Sequence, residues 1–283
     1  MSLSQHDLTV ARRGPAVVAM YVALAVIAVA FVLPFFWMVL ASVTPHSALS
    51  AEPGGSLSLV NYQTVLTPDT VYTPMLNSLI ICGGAALIAV LVAIFAAYPL
   101  SRYESRFGRS FLYTILFSTG LPITAVMVPV YTMFDRLNLI DSIPATVAFM
   151  ATASLPFAIW LMKNFMDAVP VDLEEAAWCD GASWFQSLRR LILPLMVPGL
   201  SVVFIFTVVA LWGNFFVPFI LLTSPDKLPA SVIVWDFFGE HGEVAFGQLA
   251  AFSVIYTTPI ILLYLALSRF FGRAFSLSGA VKG

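Results

Sequence analysis

The chain has 283 residues, of which 60% are hydrophobic and only 10% charged, and its formal net charge is −2 at pH 7. Soluble globular proteins average about 45–50% apolar and about 25% charged residues, so this composition excludes an ordinary soluble enzyme and a disordered chain. The slightly acidic balance also excludes a nucleic-acid-binding protein, which needs a basic surface. The composition is typical of an integral membrane protein.

Six apolar stretches without charged residues predict membrane-spanning helices, because an ionisable side chain at the bilayer centre is costly. In chain order they are Ala16–Leu40, Leu76–Leu100, Ser110–Phe134, Ile143–Met162, Leu200–Leu222 and Gln248–Leu267. About 20 helical residues cross the hydrocarbon core of a bilayer, so six spans use nearly all of the chain. We therefore predict an all-α, polytopic membrane domain over residues 16–267, with a cytoplasmic N-terminal segment at 1–15 and a cytoplasmic C-terminal tail at 268–283.

The basic residues predict the orientation of these helices, because cytoplasmic loops carry an excess of lysine and arginine. With the N-terminus inside, only Arg136 and Lys227 of the thirteen basic residues lie outside. The fifteen acidic residues divide almost evenly between the two sides, as expected of a bias in Lys and Arg alone. Six spans also return the C-terminus to the cytoplasm.

Chemical motifs are scarce in this chain. No predicted span contains an Asp, Glu, Lys, Arg or His residue, which argues against an ion-coupled carrier. There is no phosphate-binding loop, no zinc-protease motif and no nucleophile elbow, so we expect no enzymatic activity, metal or cofactor in this chain. His241 lies near Glu240 and Glu243 in a weak cluster that most simply belongs to a solvated loop. Uphill transport would take its energy from another polypeptide.

The loop between the fourth and fifth spans, residues 163–194, has the pattern of a helical hairpin. Pro170 suits the start of a first helix, with acidic residues in its first turn at the positive end of the helix dipole. Asp180-Gly181 ends that helix, and Ser183 can cap a second one. Such a hairpin either covers the inner membrane surface or docks into a groove of a partner.

One string in this loop carries a family resemblance. Glu175-Ala176-Ala177 is followed by three residues, Gly181, nine residues and Leu191-Ile192-Leu193-Pro194. This spacing resembles the EAA loop of ABC importer permeases, with Leu191 in place of the usual Ile. The resemblance implies a coupling helix that sits in a cleft of a cytoplasmic ATPase. It assigns that role to Glu174, Glu175, Ala176, Ala177, Asp180, Gly181 and Ala182.

The resemblance extends along nearly the whole chain. Asn77-Ser78, Leu155-Pro156, Trp212-Gly-Asn214 and the closing residues 278–283 are similar to the second permease of maltose-type transporters. This implies a type I ABC importer permease fold and carbohydrate uptake by alternating access. It also implies a C-terminal contact with the ATPase through Gly279, Ala280, Val281, Lys282 and Gly283, although the preceding Phe275-Ser-Leu departs from the usual Gly-Leu-Thr.

The resemblance also implies partners for this chain. Two ATPase subunits bind ATP and Mg²⁺, a second permease, which in this family is usually a different chain, packs on the first span, and an external solute-binding protein or lipoprotein delivers the solute. The expected location is a prokaryotic cytoplasmic membrane. Membrane lipid is a further expected partner, and no nucleic acid is expected to bind. Two alternatives stay open, which are a permease for a glycerophosphodiester or another polar solute, and a stand-alone facilitator.

Two further regions have open interpretations. Trp212 and Asn214 are candidates for the translocation pathway, since an aromatic face stacks on a sugar ring and an amide bonds hydroxyl groups. The alternative for Asn214 is a hydrogen bond to a neighbouring helix. The external segment Thr223–Gly247 is either a solvated loop or a docking surface for the solute-binding protein. Prolines within the spans, such as Pro129 and Pro218, are most simply kinks.

Overall fold

The computed structural model describes the backbone of residues 5–45, 57–103, 106–238 and 244–280. Side-chain surroundings are described for residues 17–45, 57–103, 108–238 and 244–268. Helices account for most of the described chain. In order they are α1 (Gln5–Ser42), α2 (Val60–Val65), α3 (Thr73–Arg102), α4 (Arg106–Ser118), α5 (Ile123–Arg136), α6 (Ile143–Asp167), α7 (Val171–Cys179), α8 (Trp184–Ser187), α9 (Leu193–Leu195), α10 (Val197–Trp212), α11 (Phe216–Leu221), α12 (Ala230–Ile233) and α13 (Phe246–Ala280). Short π-helical turns precede α3 and α9, at Pro68–Tyr72 and Leu188–Ile192.

Four helical stretches in the described chain are long and apolar enough to cross a membrane. They are Val17–Ser42, Pro68–Arg102, Ile143–Asp167 and Phe246–Ser268, and they coincide with the first, second, fourth and sixth predicted spans. Two bent helix pairs occupy the other predicted positions, which gives up to six spans if each pair crosses once. The all-α membrane fold is thus confirmed, with two of its predicted helices interrupted.

The predicted span Ser110–Phe134 is present as two helices joined at a sharp bend. The chain forms α4 and α5 there, and the two helices are bent by 93° at the break between them. Gly120 lies in the break, and Pro122 with an extended backbone (φ −64°, ψ 126°) precedes α5. Proline disfavours a helical conformation at the residue before it, so a helix usually ends there.

The predicted span Leu200–Leu222 is also divided between two helices, and the kink expected at Pro218 is a break in the helix. The helix α10 ends at Trp212, and the chain restarts as α11 after Gly213–Phe215. Pro218 has no N–H to donate to the carbonyl of residue 214, and it falls in the first turn of the new helix, where that hydrogen bond is not needed. At the other end, Trp184–Leu195 joins α10 with a bend of 77°.

Two compact units make up the chain, and the larger one comprises Leu66–Asp236 with Tyr256–Gly283. Its core is the packing of α3 along α6. The residues of α3 that are fully buried are mostly small, at Ala85, Ala86, Ala89, Ala93 and Ala97. Small side chains let membrane helices approach closely, which replaces the hydrophobic driving force that lipid does not supply. The core therefore depends on the close approach of the α3 backbone to α6.

The smaller unit comprises Met1–Val65 with Phe237–Ile255. Within it, α1 is exposed over its whole described length until Trp37. The end of α1 is held by α2, because Asn61 Nδ2 donates to the carbonyl oxygens of Ser42 and Thr44, both at 3.1 Å. Since α1 begins at Gln5 and α13 runs to Ala280, helix extends into both predicted terminal segments; residues 281–283 lie outside the described residues.

Candidate functional site

The hairpin predicted between the fourth and fifth spans is present as α7 and α8. Helix α7 ends at Cys179, and Gly181 adopts φ +87°, the left-handed conformation that glycine reaches at little cost. Ser183 then caps α8, because its hydroxyl accepts from the Gln186 N–H while the Gln186 side chain accepts from the Ser183 N–H. The predicted stop and cap are both confirmed.

The acidic residue before the EAA string faces the interior of the chain. Glu174 is 1% exposed, and its Oε2 accepts a hydrogen bond from Arg102 Nε at 2.7 Å. Its Oε1 accepts from the hydroxyl of Tyr98. A buried carboxylate is tolerated when it is paired and hydrogen-bonded, as this one is. Glu174 therefore fixes α7 to the end of α3.

Tyr98 connects α3 to the second helix of the hairpin as well. Its ring lies 6.1 Å, centroid to centroid, from the ring of Trp184 in α8. Both helices of the hairpin are thus attached to α3, although α6 and α10 are their neighbours along the chain. Tyr98 and Arg102 were not among the predicted site residues. The only local signal is that Arg102 is the first charge after an uncharged span.

Six of the seven predicted coupling residues lie at the surface of the hairpin. Glu175, Ala176, Asp180 and Gly181 are exposed, whereas Ala177 and Ala182 are half-buried. We call these six residues the coupling face. A groove of about 380 Å³ between the two helices is lined by four of them together with Gln186, Ser187, Arg190 and Leu191. The small residues leave room for a side chain of a partner, and the flanking Asp180 and Arg190 offer it charges of both signs.

The two candidate pathway residues are bonded within the chain. Trp212 is 5% exposed, its Nε1 donates to the Tyr256 carbonyl at 3.1 Å, and its ring stacks on the Tyr256 ring at 5.6 Å. Asn214 Oδ1 accepts from the Val217 N–H at 3.1 Å, and its carbonyl accepts from the Ser231 hydroxyl. Both residues thus stabilise the interruption between α10 and α11, and the role in substrate binding stays a prediction.

A polar cluster holds the opposite end of the larger unit together. Asp141, in the left-handed conformation (φ 61°), accepts from Lys227 Nζ at 2.6 Å, from the Ser224 hydroxyl at 2.6 Å and from the N–H groups of Thr223 and Ser224. The hydrogen bond from Lys227, and then those from Ser224, hold the pKa of Asp141 well below its usual value. The loop before α6 is thereby tied to the loop after α11.

Asn77 and Ser78, which contribute to the family resemblance, have structural roles at the same end. Asn77 Nδ2 donates to the carbonyl oxygens of Asp226 and Leu228, at 2.9 and 3.1 Å. The hydroxyl of Ser78 accepts from the Ala230 N–H at 2.9 Å. These bonds attach the start of α3 to the segment that leads into α12.

Several other predicted residues lie at or beyond the limits of the described structure. Gly279 and Ala280 form the last residues of α13, with side chains outside the described set, and Val281, Lys282 and Gly283 lie outside it altogether. His241, Glu240 and Glu243 also lie outside the described residues. Within the described chain, no group of three His, Cys, Asp or Glu residues is arranged to hold a metal ion.

Comparison with known proteins identifies the family. The model of the family "Binding-protein-dependent transport system inner membrane component" matches residues 89–277, about two thirds of the chain, including the whole hairpin and its attachment to α3. The chain belongs to this family. It is therefore a transport permease of a cytoplasmic membrane, and the EAA resemblance seen in residues 175–194 is part of a match that covers five of the six predicted spans in whole or in part.

Curated relatives agree with this assignment. The chain is 29% identical to the trehalose/maltose transport system permease protein MalG of Thermococcus litoralis, over 88% of this chain and 91% of that protein. It is 26% identical to the diacetylchitobiose uptake system permease protein DasC of Streptomyces coelicolor, over 91% and 94%. A chain of a bacterial ABC transporter that imports the acidic polysaccharide alginate has the same fold, with a TM-score of 0.76, 21% identity and coverage of 96% and 99%.

Proposed function

We propose that this permease moves a carbohydrate into the cell as part of an ATP-driven importer, and that the coupling face docks on partner ATPase subunits. The observation that carries the proposal is the hairpin itself, which presents small and acidic residues outward while its inner side is bonded to α3. A hairpin that only covered the membrane surface would not need a buried ion pair to hold its orientation.

The transmission of force follows from these contacts. Closure of two ATPase subunits on ATP and Mg²⁺ displaces the hairpin, and Arg102 and Tyr98 pass that displacement to α3. Because α3 packs along α6 and against α10, the movement reaches the centre of the larger unit. Close-packed helices respond by switching between discrete arrangements, which is the basis of alternating access. This chain supplies part of the translocation path and the hairpin that transmits the movement, and its partners supply the ATP site.

The remaining partners and the orientation belong to the same proposal. A second permease completes the path, an external solute-binding protein or lipoprotein delivers the solute, and both termini lie in the cytoplasm, where Gly279–Gly283 contact the ATPase. The names of the relatives support a carbohydrate as substrate, since MalG and DasC are named for trehalose/maltose and diacetylchitobiose. Stimulation of ATP hydrolysis by these sugars, and not by a glycerophosphodiester, is the expected outcome of a solute screen.

The proposal is tested with the Glu175→Lys variant in the assembled complex. The lysine cancels the negative charge of the coupling face, which Glu175 and Asp180 supply, without touching the buried Glu174. We therefore expect normal membrane insertion and loss of at least nine-tenths of transport. Asp135→Lys is the matched control, because this exposed acid lies in α5 and outside the hairpin. Co-purification of the ATPase subunits and solute uptake are the measurements. Full transport and full ATPase recovery by Glu175→Lys would overturn the coupling assignment.

A further inference from the structure

A large cavity lies where three helices end, beside the coupling hairpin but separate from the coupling face. Its volume is about 1110 Å³, slightly above the roughly 300–1,000 Å³ usual for ligand pockets. The end of α3, the start of α4 and the end of α6 line it. Residues 70–101 of the helix containing α3 and residues 142–162 of α6 carry no charge, and charges resume at the cavity. The cavity therefore lies at the depth of lipid headgroups.

Basic side chains dominate the charges of this cavity. Arg102, Arg109 and Lys163 line it, and Asp167 is the single acidic residue in its lining. Lys163 Nζ is bonded to Asp167 at 2.5 Å, and Arg102 is bonded to Glu174. Arg109 is exposed and forms no ion pair with any residue that the structure describes. One positive charge of the lining is thus left without a counter-charge among the described residues.

Unused hydrogen-bond donors point in the same direction. The side chain of Arg102 is 2% exposed, yet its Nη2 has no hydrogen-bond partner in the described chain. Buried polar atoms without partners are rare in native structures, so such an atom calls for a ligand or water. The guanidinium of Arg109 and the amide of Asn164 add further donors to the lining. A ligand with several acceptor oxygens and a negative charge, such as a phosphodiester, complements this set.

Apolar surface continues from the cavity along α4. Tyr113 and Leu116 belong to the lining, and the neighbouring Phe117 is 85% exposed. Trp160 of α6 also faces the cavity, and tryptophan and tyrosine are enriched at the membrane interface. The arrangement offers a place for acyl chains next to a place for a phosphate.

We propose that this cavity binds the headgroup of an anionic phospholipid through Arg102, Arg109 and Lys163. Basic pockets between membrane helices bind anionic headgroups, and a zwitterionic headgroup would bring an ammonium group against the guanidinium of Arg109, the charge that lacks a counter-charge in the described chain. The lipid fills the space between the ends of α3, α4 and α6 and satisfies the buried Arg102 donor. The proposal concerns the surrounding bilayer and does not depend on which solute is transported.

Native mass spectrometry of the delipidated complex, with its permease and ATPase partners, tests the proposal. The complex is mixed with phosphatidylglycerol, with phosphatidylethanolamine or with inorganic phosphate, and bound molecules are counted. We expect preferential retention of phosphatidylglycerol. The double variant Arg109→Gln/Lys163→Gln keeps Arg102 and its bond to Glu174, and we expect it to bind phosphatidylglycerol about 30-fold more weakly, from the usual effect of two basic side chains near a membrane surface.

Arg136→Gln is the matched control, since it removes an exposed arginine at the end of α5, away from the cavity lining, and we expect it to retain the lipid. Four outcomes would overturn the proposal. They are equal retention of the two lipids, unchanged binding by the double variant, equal loss in Arg136→Gln, and binding of inorganic phosphate in place of the lipid. Retention by the isolated chain but not by the complex would also overturn it, because a partner subunit would then cover the cavity.

Discussion

Asp141 shows how a single residue can join two loops. Its backbone adopts a left-handed conformation that is uncommon for a residue with a side chain, and its carboxylate takes hydrogen bonds from Thr223, Ser224 and Lys227. Because these bonds stabilise the ionised form, the pKa of Asp141 is lowered. A carboxyl group with a lowered pKa stabilises the folded protein at pH values above its ordinary pKa, near 4. This contribution is lost as the pH falls from about 4 through the lowered pKa.

The variant Lys227→Met tests this contribution. Without the ammonium group the pKa of Asp141 rises towards its ordinary value, so the variant should be less stable at pH 6, by about 1 kcal/mol or less for a partly exposed pair. Between pH 6 and pH 3 its melting temperature should fall less than that of the parent protein. Thermal unfolding at several pH values is the measurement, with Arg136→Met as a control. Parallel pH curves for Lys227→Met and the parent would show that the pair adds nothing.

Residues that act through local geometry were predictable from the sequence, whereas residues that act through distant partners were not. Gly181 ends α7 and Ser183 caps α8 because of rules that involve three or four neighbouring positions. The burial of Glu174 depends on Tyr98 and Arg102, which lie 76 and 72 residues earlier in the chain. No local pattern distinguishes Glu174, which is buried, from Glu175, which is exposed.

At the scale of helices, the attachment of the hairpin to α3 depends on a buried ion pair. Removal of one partner leaves an uncompensated buried charge, which typically costs about 3–5 kcal/mol, whereas replacement of both by apolar residues is often nearly neutral. The side chains of Arg102 and Glu174 are both at least 98% buried, so they fall within this rule.

A double-mutant cycle on Arg102→Met and Glu174→Met measures this link. We expect each single variant to lower the melting temperature of the complex strongly, and the double variant to lose much less than the sum of the two. Asp167→Asn is the control, because it breaks an exposed pair with Lys163 that should contribute under about 1 kcal/mol. Additive effects of the two buried substitutions would contradict the link between α3 and α7.

Composition locates the apolar regions of the chain but does not predict the breaks within them. The uncharged stretches located all six apolar regions, but hydropathy carries no information on whether a helix is continuous. One break contains Gly120 and Pro122, and the other lies just before the helix turn that contains Pro218. Similar prolines at Pro99 and Pro156 lie within continuous helices. Neighbouring helices decide between a kink and a break, because they determine whether freed backbone groups find partners.

For the whole molecule, orientation in the membrane is the principal prediction still to be measured. The chain offers its own probe, since Cys179 in α7 is exposed and Cys82 in α3 is buried. A bilayer-impermeant maleimide should label Cys179 in inside-out vesicles and not in intact cells. Introduction of Asp226→Cys, at an exposed position of the external loop, should reverse this pattern in a Cys179→Ser background.

The labelling experiment also has a decisive negative outcome. If Cys179 reacts from outside intact cells, the bias of lysines and arginines has been assigned to the wrong side, and the coupling face cannot meet a cytoplasmic ATPase. Bound ATPase subunits should protect Cys179 in inside-out vesicles, because this residue adjoins Asp180 of the coupling face. Loss of that protection in Glu175→Lys would link the orientation of the chain to its docking.

The hydrogen bonds of Asn77 imply an order of events during synthesis. Its acceptors on Asp226 and Leu228 lie 149 and 151 residues later in the chain. At about 5–20 residues per second, α3 therefore waits about 8–30 s in the bilayer before the ribosome has made the segment that completes its first turns. During that interval the amide of Asn77 and the hydroxyl of Ser78 depend on water or lipid headgroups. The contacts at the start of the second span are therefore among the last to form, although this span is among the first to be made.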